Sequence, residues 1–262
     1  MFNTIIVEKK KKNLLILIFE IYFVPLMPTK KTIMNPVKIP SYPVMEKIIN
    51  SDAFKFFVKI HPKLMYNIRN MCTKNKKLTP DANNHKEGVI GQFFKENLGY
   101  DNVQTIFGEN AKDIFIYNTS ISIKCAEIKL KKGKRKRKPH AIEQGSPNLT
   151  LIWDTNKLVQ DKYLANYNPK YFTWYFEVFV NNSDTPALIP SIYIFPPEVQ
   201  DLSLGTQRHG RGLGVTTKTL DKWKKDPRTI IFGCLWPPYK LVENGCENMY
   251  KSVLENTMKD IS

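Results

Sequence analysis

The stretch from Lys112 to Leu130, KDIFIYNTSISIKCAEIKL, constrains this chain more than any other. Ile and Phe recur on both sides of the turn-prone Asn118-Thr119-Ser120, so Asp113 to Tyr117 and Ser120 to Leu130 are predicted to be two strands of a hairpin. Side chains alternate across a sheet, which puts Ser122 and Lys124 on one face of the returning strand and Ile121, Ile123 and Cys125 on the other. The second face packs; the first is left for polar work. An acid at the start of one strand and a lysine in its partner then converge at the rim of the sheet.

Elements around the hairpin follow from the same periodicities. Between Val44 and Cys72 the apolar residues Met45, Ile48, Ile49, Phe54, Phe57, Val58, Leu64 and Ile68 fall at helical spacing, and Pro62 predicts a break into two short helices. A polar loop is expected from Thr73 to Asn84, then a helix from His85 to Asn97 that Gly99 stops. Val103 to Phe107, Leu149 to Trp153, Tyr171 to Val180 and Ser191 to Phe195 complete the predicted strands, the aromatic YFTWYFEVF being core rather than a stacking platform. Gly205 to Gly214, GTQRHGRGLG, reads as a glycine-rich basic loop, and Tyr250, Val253, Leu254 and Met258 as a closing helix.

The bulk numbers narrow the partners. A chain of 262 residues with 42% hydrophobic content buries a real core, and no uncharged apolar run is long enough to cross a membrane. Its formal charge of +16 points to a polyanion, with nucleic acid ahead of an anionic membrane surface. Cys72, Cys125, Cys234 and Cys246 form no CxxC pair, and they read as reduced thiols of a cytoplasmic protein. Residues 1–33, with Lys9 to Lys12 before an apolar stretch, mimic a signal peptide, but Glu20 and Pro25 interrupt it and no small-residue cleavage site follows. They are expected to be a loosely held arm or an extension ahead of a start at Met34.

Cutting a phosphodiester calls for a divalent cation on carboxylates, an activated water and a positive group near the phosphate. The hairpin offers such groups. Its string resembles the Type II restriction endonucleases of the PD-(D/E)xK nuclease superfamily, in which an aspartate is followed across a hairpin by an acid, a spacer and a lysine. KDIFIYNTSISIK resembles the variant with serine in place of that acid, and EGVIGQFFKENLGY resembles the helix that carries a metal-directed glutamate, here Glu87. The resemblance implies an α+β fold, a central mixed sheet flanked by helices in an α/β/α-like arrangement, and the length leads us to expect residues 34–262 to be one catalytic and DNA-binding domain. It further implies that Asp113 ligates magnesium, Glu87 completes or supports the site, Lys124 orients the water and stabilises developing charge, and Ser122 is a polar spacer or a contact through water. A shifted register, Glu127-Ile128-Lys129, keeps the acid-spacer-lysine spacing. It falls on the face of Ile121, Ile123 and Cys125, which argues against it unless a β-bulge intervenes.

Two further segments are candidate contacts to double-stranded DNA. Lys131, Lys132, Lys134, Arg135, Lys136, Arg137 and Lys138 directly follow the presumed active strand, where they would displace counterions along a phosphate backbone. Gln207, Arg208 and Arg211 lie between glycines and have the side chains to read base edges; His209 sits among them. A palindromic site would be matched by a homodimer. The family resemblance also implies a companion DNA methyltransferase. The readings that compete are a repair or junction-resolving nuclease on the same fold, and a non-catalytic nucleic-acid-binding protein.

Overall fold

The computed structural model describes residues 41–74, 82–106, 112–130, 142–143, 149–179, 187–210, 212–236 and 251–255. Residues 1–40, the basic run 131–138 and Arg211 lie outside the described residues.

Two helices open the fold, as expected, but the break comes earlier than Pro62. Helix α1 spans Pro43–Asn50 and α2 spans Asp52–Lys74 with Pro62 inside it. The joint is Ser51, whose hydroxyl donates to the Ile48 carbonyl at 2.6 Å and accepts from the Phe54 amide at 3.1 Å. One side chain thus closes the first helix and caps the second. Pro62 has no amide hydrogen for the Val58 carbonyl, and the His61 Nδ1–H takes that place at 2.9 Å. Helix α3 runs Ala82–Leu98, starting ahead of the predicted His85, and stops at Gly99 with φ +94°.

The strands are β1 (Val103–Thr105), β2 (Ile114–Ile116), β3 (Thr119–Leu130), β4 (Ile142–Glu143), β5 (Thr150–Ile152), β6 (Phe172–Phe179) and β7 (Ala187–Phe195). Helix α4, Lys157–Ala165, lies between β5 and β6. The glycine-rich segment is a hairpin rather than a loop: β8 (Thr206–His209) pairs antiparallel with β9 (Gly212–Val215). Helix α5 (Thr217–Lys225) and strand β10 (Ile230–Trp236) follow, neither anticipated, and residues 251–255 are helical.

The main sheet is ordered β1-β2-β3-β6-β7-β10, with β4 appended to β3; β5-β9-β8 form a second sheet. Strands β3 and β6 are parallel and the other main pairings antiparallel, so the sheet is mixed. Ile121, Ile123, Trp174, Phe176, Ile192 and Ile194 face α1, α2 and α3, where Phe54 meets Trp174 edge-on at 5.4 Å. Tyr175 and Phe195 face the other way, against Val215, Leu220 and Trp223. The aromatic strand is therefore buried on both sides. Burying each such ring contributes about 1.5–3 kcal/mol, which fixes β6 and, through it, the register of β3. Among the described residues no helix is long and apolar enough to cross a membrane.

Candidate active site

Strands β2 and β3 join through Tyr117 and Asn118, both with positive φ (47° and 63°), which gives the two-residue turn whose twist matches a hairpin. Ile116 then pairs with Thr119 and Ile114 with Ile121, and the Asp113 amide donates to the Ile121 carbonyl at 2.9 Å. Buried Ile114, Ile121 and Ile123 anchor the helix-facing side. Asp113, Ser122 and Lys124 are left for the opposite face.

There the three side chains meet. The Ser122 hydroxyl donates to Asp113 Oδ2 at 3.2 Å, the Ile123 amide donates to the same oxygen, and Lys124 Nζ stands 3.8 Å from it. No described residue donates to Asp113 Oδ1. The Asp113 and Lys124 side chains keep 13% and 17% of their surface in contact with solvent, whereas Ser122 is fully buried. Buried Ser122 holds the carboxylate in place, and the lysine above it remains reachable.

Glu87 lies on α3, which packs against the side of the sheet that carries Ile121, Ile123 and Cys125. The charges of Lys86, Glu87, Lys124 and Asp113 all act on the thiol of Cys125, which burial pushes up to about 11, so it stays protonated. Cys125 as a residue is partly exposed while its thiol is enclosed, and it is free of any disulfide. The alternative pair lies further along β3: Glu127 is opposite Val178 and Lys129 opposite Glu143. The pairing of β3 with β6 runs unshifted from Ile121 to Ile128, so no bulge interrupts it there; the side chains of Glu127 and Lys129 lie outside the described residues.

Of the second DNA-contact segment, Arg208 makes an ion pair with Asp161 of α4, and His209 Nε2 lies 3.4 Å from Thr150 Oγ1. Gln207 is half-buried on β8.

Sequence reading missed two polar arrangements on the same face of the sheet. Thr173 donates to Gln200, whose amide donates to the carbonyls of Tyr171 and Phe195. Glu177 pairs directly with Lys224, whose ammonium also lies over the rings of Tyr175 (5.3 Å) and Tyr193 (4.8 Å). Burial raises the Glu177 carboxyl above the usual range, and Lys224 opposes the shift. Alternation along β6 was the available signal, since it sets Thr173, Tyr175 and Glu177 on the face of Lys124.

Among the described residues no group of three or more His, Cys, Asp and Glu converges on a point. Magnesium keeps most of its waters and takes one or two carboxylates beside a substrate phosphate. Asp113 offers such a carboxylate, with no described residue donating to its Oδ1.

No family model and no curated protein matches the chain. A solved structure described as a restriction endonuclease in complex with substrate DNA is similar at 16% identity and a TM-score of 0.54, over 80% of this chain and 98% of the other. At that identity the likeness is one of fold, and this chain has a restriction-endonuclease-like fold.

Proposed function

We propose that the chain is a magnesium-dependent, sequence-specific endonuclease of double-stranded DNA, of the Type II restriction class, hydrolysing phosphodiester bonds in both strands. The observation that carries the reading is the meeting of Asp113, Ser122 and Lys124 at one carboxylate oxygen on the polar face of β3, within a fold shared with a DNA-bound restriction endonuclease. Asp113 would hold the cation and Glu87 would support it. When bound, magnesium supplies a polarised phosphate and a more acidic water. Ser122 and the Ile123 amide fix the Asp113 carboxylate, so it need not reorganise when substrate arrives. Lys124 carries a positive charge next to that carboxylate, where it orients the attacking water and offsets charge that develops on the phosphate. The basic run 131–138 would follow the backbone, with Gln207, Arg208 and Arg211 as contacts to bases. A homodimer on a palindromic site, a companion methyltransferase and a cytoplasmic location complete the proposal.

Plasmid of known sequence, incubated with and without magnesium, tests it. Discrete fragments that require the metal, and a Lys124→Ala protein that cuts at least about 100-fold more slowly, are expected. A variant that cuts as fast as the parent overturns the site assignment, and products only from branched DNA would replace restriction with junction resolution.

A further inference from the structure

The second sheet presents a surface that the Asp113 and Lys124 chemistry does not use. Trp153 directly follows β5 and is 53% exposed, whereas Trp174 and Trp223 are completely buried. Leaving so large an apolar ring in water forgoes the burial that stabilises the other two. Yet its surroundings are tightly built. The Asn156 side chain accepts from the Leu158 amide at 2.9 Å to cap α4, and buried Gln160 donates to the Asp154 carbonyl at 2.6 Å, so the backbone after Trp153 is pinned. On the other side, the His209 ring stands edge-on to Trp153, with centroids 6.3 Å apart and planes at 83°. Gly212 has φ +148°, and a Cβ there would lie 2.1 Å from the Ile152 carbonyl oxygen, so only glycine lets β9 close against the end of β5. Alternation along β8 puts Gln207 on the same face as His209. A rigid scaffold thus holds an exposed indole beside an imidazole and an amide, which is the composition of a contact surface rather than of a stray apolar residue.

Charge selects the occupant. At this patch a second copy, itself at +16, gains nothing from electrostatics, whereas a polyanion gains with every contact. The cations Lys157 and Lys162 stand on the neighbouring turns of α4, and Arg208, on the other face of β8, is held by Asp161 while 40% of its side chain stays exposed.

We propose that Trp153 is the apolar contact this surface makes with duplex DNA, with His209 setting the angle of its ring and Gln207 offering its amide to a base edge. The proposal rests on the nucleic-acid reading given above, but not on cleavage. Exposed and buried indoles emit at different wavelengths, so the red-side emission lost in a Trp153→Phe protein reports this residue. A linear duplex of mixed sequence is titrated into the full chain in EDTA, where no cutting occurs. Quenching of that emission is expected, with Trp153→Ala binding about tenfold more weakly at the same salt, as loss of one buried apolar contact implies, and with an unchanged Tm. Duplex that binds while leaving the emission untouched overturns the proposal and spares the nuclease reading. Duplex that does not bind the parent at all removes both. A shift to the blue as protein concentration rises without DNA would mean that a second copy covers the indole, and would also overturn it.

Discussion

Two lysine–carboxylate pairs share the polar face of the main sheet, and they are built differently. Lys224 and Glu177 touch directly, with two tyrosine rings under the ammonium. Lys124 and Asp113 stand 3.8 Å apart, and the carboxylate is held by Ser122 and the Ile123 amide. All four side chains are mostly buried, so burial does not distinguish them. Saturation does. The first pair has spent its charge on itself and on clamping α5 to β6 and β7; the second, among the described residues, is fixed through its acid, and its amine stands off from that acid. A closed pair holds a fold together, and a half-open one is suited to chemistry.

Breaking the closed pair should have the largest effect. Glu177→Ala leaves the Lys224 ammonium buried without its counter-charge and is expected to destabilise the protein by about 3–5 kcal/mol, read as a lowered denaturation midpoint. If the midpoint does not move, the pair has no structural role. The opposite face provides a neutral counterpart. His61, between Val58 and Ser191, is buried, and desolvation lowers its pKa to about 4. Since the unfolded chain protonates it near 6.5, the unfolded state binds the extra proton between those values. The stability this neutral histidine contributes is therefore complete above pH 6.5 and falls by about 3 kcal/mol as pH drops to 4. Chemical denaturation at several pH values would show that slope in the parent and a shallower one in His61→Gln; equal slopes would refute it. The smallest change sharpens the contrast within the half-open pair. Ser122→Ala removes one of the donors to Asp113 and is expected to cost about 1 kcal/mol, with cleavage reduced by less than tenfold because the Ile123 amide remains. A loss as large as that of Lys124→Ala would make Ser122 a partner in the chemistry.

The hairpin was legible because its alternation is local: Ile121 and Ile123 against Ser122 and Lys124 need no distant partner to declare their faces. Helix α2 was less legible, because Pro62 is a valid stop signal that a neighbouring imidazole answers, and proton donation by His61 to Val58 leaves no trace in periodicity. Strand β10, IIFGCLW, carries no alternation to detect, since Ile230 and Phe232 face one apolar cluster, Ile231 the other, and its pairing with β7 shifts at Gly233. Glycines at 205, 210, 212 and 214 suggested a loop, whereas one of them is there to let two strands approach. Glu177 and Lys224 are 47 residues apart, and only the packing of α5 brings them together.

The turn at Tyr117 and Asn118 has a consequence for how such a site can change. With two residues, both in the left-handed region, and the Tyr117 ring held 4.0 Å from the Lys47 ammonium, the loop acts as a ruler. Together with the pairing of β3 to β6, it sets the acid at 113 opposite the serine at 122. A one-residue slip of β2 along β3 would turn the carboxylate toward the helices. A longer turn is compatible with the site only where the pairing of Ile114 with Ile121 is kept, so what the acid and amine require is a register rather than a freely adjustable distance.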